Sequence, residues 1–325
     1  MSNTPKYFAR RVVKSLLVLV LIAIFNFFLI RAAPGDPAEI MAGLSGGADA
    51  QTLSAMRSQL GLDKPVATQL VMHLRSIATF DLGYSYRQQE SVASLIMAHL
   101  PATLLLTTTA FLFALASGIY LGVQAALRAG RWSDSAITTF ALLVYATPSF
   151  WIGLMLVLLF SAQLGWLPAF GYETIGAGHV GLARAMDIAS HLVLPALTMG
   201  LFFMAIYARL TRASVLEVSH MDFVKTARAK GMPERLVVRR HVLRNALLPV
   251  ITFAGLQAGS LVGGSVLVET VFAWPGIGRL AFDALAQRDY ALLLGIFFVA
   301  SIIVVAINIL TDIAYVLADP RIELK

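Results

Sequence analysis

Six stretches of the chain are apolar over roughly the 20 residues that a helix needs to cross a bilayer, where every backbone N–H and C=O must be paired within the segment. The first runs from Val12 to Ile30, with Lys14 near one end. The second lies within the charge-free run Ser91–Leu127 and is placed at Thr103–Ala126; the third falls inside Ser135–Tyr172. A fourth covers His191–Ala208, a fifth Leu247–Val268, and a sixth Tyr290–Thr311, extending towards Leu317. The predicted fold class is therefore an all-α integral membrane protein of about six spans. We divide it into 1–30, the N-terminus and first span; 31–100, an external loop; and 101–325, a five-span core with a long polar loop at 209–247.

Composition agrees, with hydrophobic residues at 58%, charged residues at 13% and mean hydropathy at +0.77, far from a soluble domain of this length. The net charge of +7 is spread between apolar stretches rather than gathered on one face, which points to membrane lipid and topology and away from nucleic acid. An N-terminus inside places 17 of the 25 Lys and Arg in cytoplasmic segments, nine of them between Arg209 and Arg244. Both termini are then cytoplasmic. The absence of cysteine removes disulfides and thiolate metal sites.

The 31–100 segment is not a featureless linker. Leu53, Met56 and Leu60 fall at helical spacing after Asp49, and Gly61 closes that element as a left-handed cap. Beyond Pro65, Val66, Leu70, Leu74 and Ile77 share one face of a second amphipathic stretch. Small residues recur every four positions in span two, at Ala110, Ala114, Gly118, Gly122 and Ala126, and in span five at Gly255, Gly259 and Gly263. Such ladders let helix backbones approach closely, either as static packing or as faces that slide when a pathway opens. Pro148 and Pro195 are expected to kink their helices.

Several chemistries have no residues to carry them. The span cores lack Asp, Glu, Lys and Arg, the nearest being Lys14, Asp134, Arg209, Glu269 and Asp312 at predicted ends, so a proton-coupled carrier is disfavoured. No glycine precedes a lysine, which excludes a P-loop for ATP. His99 and His191 stand alone rather than in a zinc-binding pattern. Gly43-Leu44-Ser45-Gly46-Gly47 fits the spacing of a serine-hydrolase elbow, but without the flanking strand and helix that such an elbow requires. No catalytic residue and no metal site is assigned. An ATP-independent channel and an intramembrane serine protease are the rival readings.

The 209–247 loop is the most informative segment. Ser219 can cap a helix with Asp222 in its first turn and Lys225, Arg228 and Lys230 towards its other end, each charge complementing the dipole. Gly231 stops it, and Pro233 begins a second basic helix that runs to Ala246 and into span five. The spacing predicts a short capped helix, Asp222–Lys230, compact enough to insert into a groove on a soluble partner.

Here the chain resembles a family, the membrane-spanning permease subunits of bacterial dipeptide, oligopeptide and nickel ABC importers. Lys225-Thr226-Ala227-Arg228-Ala229-Lys230-Gly231 is similar to the ATPase-docking motif of the peptide branch, departing from the broader family pattern at Lys225 and Thr226. Pro34-Gly35-Asp36-Pro37, Leu60 to Pro65, Asp81-Leu82-Gly83, Leu243 to Pro249 and Glu269-Thr270-Val271-Phe272-Ala273-Trp274-Pro275-Gly276 resemble the same branch in order along the chain. The resemblance implies an inner-membrane transport subunit that is not itself an enzyme. It implies a second homologous permease, two ATPase subunits that carry ATP and Mg, and an external substrate-binding protein. It implies an ATPase-coupling helix using Asp222, Phe223, Lys225, Thr226, Ala227, Arg228, Ala229 and Gly231, with substrate among dipeptides, oligopeptides, glutathione-like compounds and metal chelates.

Overall fold

The computed structural model describes residues 4–32, 50–59 and 61–318. Asp49, Leu60, Ser45 with its glycines, and Pro34 to Pro37 lie outside the described residues, as do Arg321 and Lys325. In order the elements are α1 (Thr4–Ala32), α2 (Ala50–Gln59), α3 (Val66–Ala78), a two-stranded hairpin of β1 (Tyr84–Ser85) and β2 (Glu90–Ser91), and α4 (Val92–Leu127). Next come α5 (Trp132–Ala146), α6 (Ser149–Leu156) prolonged by a π-helical stretch over Val157–Gln163, α7 (Gly181–Ser219) and α8 (Asp222–Ala229). The chain closes with α9 (Glu234–Val237), a second π-helical stretch at Val238–Val242, α10 (Leu243–Ala258), α11 (Ser260–Val271), α12 (Ile277–Ala286) and α13 (Tyr290–Ala318).

Among the described residues four helical segments are long and apolar enough to cross a bilayer, Arg10–Leu29, Val92–Leu127, Gly181–Ser219 and Tyr290–Ile313. Two bent pairs raise the number to six if each pair is one span. The pattern of about six spans is thus present, with longer helices than the apolar runs alone marked. The third span is bent by 107° between α5 and α6, and the fifth is divided between α10 and α11. The two expected proline kinks differ. Thr147 and Pro148 are both extended (φ −90°, ψ 134° and φ −57°, ψ 132°) and separate two helices, whereas Pro195 sits inside the uninterrupted α7.

The described chain divides into two compact units. The first holds residues 1–100 and 280–305. In it Gln69 of α3 is buried and acts as a clasp: its amide nitrogen donates to the carbonyls of Leu62 (3.1 Å) and Lys64 (2.8 Å), and its oxygen accepts from Arg31 of α1 (2.6 Å). Gly61 takes φ +66°, the left-handed cap that its position demands. Ser85 of the hairpin donates to the Asp289 carboxylate, whose other oxygen caps α13 at the Leu292 N–H (3.2 Å).

His73 joins α3 to α1 by a hydrogen bond to the Ala23 backbone and by ring contact with Phe27, centroids 5.7 Å apart. Burial lowers its pKa below the ordinary 6.5, because the charged ring would lose hydration. Between the lowered folded value and 6.5 the unfolded chain binds more protons, so this contribution is complete above 6.5 and is lost as pH falls. Acidification from neutral pH should therefore lower the thermal midpoint of the purified protein more than that of His73→Gln, and identical pH profiles would contradict the assignment.

The second unit holds 101–279 and 306–322. Its centre is the crossing of α4 and α7, where a Cβ on Gly118 would lie 2.6 Å from Tyr207 Cβ, and one on Gly122 2.5 Å from Thr211 Cβ and 2.6 Å from the Ala208 carbonyl. Only hydrogen fits there, so this half of the ladder is interlocked packing. In the other ladder Gly255 O accepts from Thr311 Oγ1 (3.4 Å) and Gly259 is buried at the α10–α11 junction, but Gly263 faces open space. Asp134 of α5, buried, receives both Nε (2.6 Å) and Nη2 (2.8 Å) of Arg212 on α7, together with the Gly130 N–H (3.0 Å). This bidentate pair fixes one end of the α5–α7 contact.

Candidate functional site

The α8 segment follows α7 after the two-residue turn at His220 and Met221. Ser219 does not cap it. The α7 helix continues through Ser219, whose hydroxyl donates back to the Val215 carbonyl at 2.6 Å, and the N-cap is Met221, extended (φ −70°, ψ 150°) and without a side-chain cap. The charge pattern in the helix is as the sequence suggests. Asp222 stands in the first turn and receives Lys225 Nζ at 2.9 Å, a favourable place for a carboxylate at the positive pole.

Two residues three apart, Val224 and Ala227, anchor the helix. Both are buried, in a cluster with Ala126 of α4, Val215 and Val218 of α7, Val237, Val242 and Ala246. Removing the Val224 side chain from water supplies about 2 kcal/mol, enough to hold a helix too short to be stable alone. Asp222, Phe223, Lys225, Thr226 and Ala229 are exposed. Ala227 is on the inner face, so of the residues expected to meet a partner it is the one that serves the anchor instead.

The end of α8 is built from Gly231 and Arg228. Gly231 takes φ +76°, and its N–H donates to the Arg228 carbonyl at 2.9 Å, the left-handed stop expected from the sequence. Arg228 folds back across the corner: its guanidinium donates to Glu234 of α9 (2.8 and 3.1 Å) and to the Ser219 carbonyl (3.1 Å). The Glu234 carboxylate raises the guanidinium pKa further. Arg228 thus ties together the start and end of the α7–α8–α9 corner, a role its place in the motif does not announce. Beyond Pro233, which is the N-cap of α9, the predicted basic helix is continuous but passes through the π-helical stretch Val238–Val242.

A second constellation escaped sequence reasoning. Glu269, near the end of α11, is fully buried and its carboxyl accepts from Thr103 Oγ1 of α4 (2.8 Å) and from the Arg279 N–H (2.9 Å). Thr103 Oγ1 in turn accepts from the Ile277 N–H (2.8 Å), and Trp274 Nε1 donates to the Ala102 carbonyl (2.8 Å). The Glu269–Gly276 stretch therefore wraps round its own glutamate. A Cβ at Gly276 would fall on the Glu269 carboxyl. The signal was in the motif itself, a glutamate seven residues before a glycine, but its meaning needed Thr103, 166 residues away.

His191 is buried and its Nδ1 lies 2.9 Å from the Asp187 carbonyl; His99 Nδ1 lies 2.8 Å from that of Leu95. Among the described residues no group of three or more His, Asp or Glu is placed to hold a metal ion.

Comparison with known proteins bears on the whole chain. Residues 118–324 match the model of the "Binding-protein-dependent transport system inner membrane component" family, and residues 5–107 match its N-terminal companion. A putative peptide transport system permease protein of Brucella abortus is 40% identical over 314 residues, covering 97% of this chain and 98% of the relative. The dipeptide transport system permease protein DppB of Alkalihalophilus pseudofirmus is 37% identical, covering 98% and 99%. The glutathione transport system permease protein GsiC of Escherichia coli O6:H1 is 38% identical with the same coverage. Among solved structures, the inward-facing MetNI methionine ABC transporter aligns over 70% of this chain and 97% of the matched chain, with TM-score 0.55 at 18% identity, a likeness of fold. Helices of bilayer length and these matches over nearly the whole chain agree: the chain belongs to the family of binding-protein-dependent transport system inner membrane components, and is a multi-pass permease subunit of an ABC importer in the bacterial inner membrane.

Proposed function

We propose that this permease, paired with a second homologous permease subunit, encloses a path for short peptides, and that α8 couples that path to separate ATPase subunits on which ATP and Mg are bound. An external binding protein delivers the substrate. The peptide class is supported by relatives across the full chain length whose names specify peptide, dipeptide and glutathione transport. The excess of Lys and Arg in 209–247 supports a cytoplasmic position for that loop. The observation that carries the coupling role is the division of α8 into an anchored face, Val224 and Ala227, and an exposed one bearing Asp222, Phe223, Lys225, Thr226 and Ala229. A partner that grips the exposed face would move the helices to which the buried face is fixed.

Gly231 gives the test. Nothing lies within 4 Å of the place where its Cβ would start, so a substitution there is penalised by backbone conformation and not by collision. Gly231→Val should disfavour the left-handed corner by at least about 1 kcal/mol, while Gly231→Asn, which tolerates that region, should be nearly neutral. In vesicles holding the complete importer, Val is expected to depress both transport and transport-stimulated ATP hydrolysis at unchanged membrane insertion, and Asn to retain them. Wild-type rates in the Val variant would remove α8 from the coupling path. Peptide flux through the permeases without ATPase subunits would establish a channel instead.

A further inference from the structure

The second unit contains a cavity of about 390 Å³ at the break between α5 and α6, lined among others by Tyr145, Thr147, Ser149, Met199, Phe202 and Gly264. At the break the Thr147 N–H closes α5 on the Leu143 and Val144 carbonyls, and the Pro148 carbonyl takes the Trp151 and Ile152 N–H groups, which leaves the Tyr145 and Ala146 carbonyls and the Ser149 and Phe150 N–H groups outside both helical ladders. Backbone of this kind at membrane depth persists where it borders a cavity. Among the described residues no Asp, Glu, Lys, Arg or His lines it, and no atom of theirs lies within 4 Å of the position a Gly264 side chain would take. The walls are thus aromatic, hydroxyl-bearing and uncharged, suited to an extended chain with backbone donors and acceptors and varied side chains.

A cation, Arg209, lies against Tyr145, one of the residues that line this cavity. The rings of Tyr145 and Phe202 are stacked, centroids 5.5 Å apart and 16° from parallel, and the Arg209 guanidinium lies 5.5 Å from the Tyr145 centroid, within cation–π range. Arg209 is exposed. The neighbouring arginine on α7, Arg212, is neutralised by Asp134; among the described residues Arg209 forms no such ion pair. A guanidinium held by a ring on one side keeps its planar fork of donors for a carboxylate.

We propose that Arg209, steadied on Tyr145, is a carboxylate-binding subsite of the transport path, taking the C-terminal carboxylate of a short peptide whose body lies against the Tyr145–Phe202 wall. This rests on the peptide reading above. It predicts that the permease discriminates on the terminal charge of its substrate, independently of the binding protein.

The complete importer in vesicles, offered a radiolabelled tripeptide or the same tripeptide as its C-terminal amide, tests this. Because the binding protein is common to all variants, its own preference cancels when each variant is compared with wild type for each peptide. Arg209→Gln should lower uptake of the acid about tenfold, the effect of one charge-assisted pair, and leave amide uptake unchanged. Arg209→Lys should retain part of the acid uptake, and Tyr145→Leu, which keeps the charge but removes its platform, should depress the acid selectively. Equal losses for acid and amide, or no loss in Arg209→Gln, would overturn the subsite. Failure of the wild-type importer to take up either peptide would instead overturn the peptide reading, and the subsite with it.

Discussion

Replacing Glu269 by Ala is expected to destabilise the second unit by about 3 kcal/mol. The reason is the donors left behind: the Thr103 hydroxyl and the Arg279 N–H are aimed at the carboxyl, and a buried donor without an acceptor costs roughly 1–3 kcal/mol. Glu269→Gln should cost less, since its carbonyl oxygen can still accept from Thr103 while its amide nitrogen meets the Arg279 N–H donor to donor. The thermal midpoint in detergent, read by tryptophan fluorescence, orders the series wild type, Gln, Ala. Because Thr103 also receives the Ile277 N–H, Thr103→Val breaks the same network, and the two substitutions should be strongly non-additive. Simple additivity would mean that Glu269 is held by something other than this network.

Adding a single methyl group at Gly122 should cost nearly as much. The two nearest atoms that an alanine Cβ would meet, Thr211 Cβ and the Ala208 carbonyl oxygen, sit on or next to the α7 backbone and cannot swing aside. Gly122→Ala therefore forces the helices apart, at about 3 kcal/mol, the upper part of the overpacking range. Gly263→Ala is the matched control: it is also helical, faces open space, and should leave the melting midpoint of the isolated subunit unchanged or raise it slightly, since alanine favours a helix over glycine. Equal stability of the two variants would contradict the α4–α7 crossing as described.

How much of this was written in the chain varies with the range of the interaction. Spans, the Gly61 and Gly231 caps and the charge order of α8 depend on residues within one or two turns, and the pattern shows them. The Ser219 cap failed for a local reason. A serine can cap one helix or bond back into the preceding one, and only the continued winding of α7 decides between them; Met221, the true N-cap, carries no polar group to give it away. Pro148 and Pro195 divide on the residue before them. Thr147 is β-branched and readily extended, so it accepts the restriction that proline imposes on its predecessor, while Leu194 favours the helix. The Glu269 network and the Arg209–Tyr145 contact join residues far apart in sequence, and no spacing rule reaches them.

The interlocked glycines of the α4–α7 crossing have a mechanical consequence. Val224 and Ala227 rest on Ala126 of α4 and on Val215 and Val218 of α7 together, a short distance along both helices from the notches at Gly118 and Gly122. Two rods keyed to each other in this way cannot shear. If α8 is gripped as proposed, a displacement delivered to their common footing would carry both helices together as one stiff arm, and bending would fall where the helices are already interrupted, at Thr147–Pro148 or at the Gly259 junction.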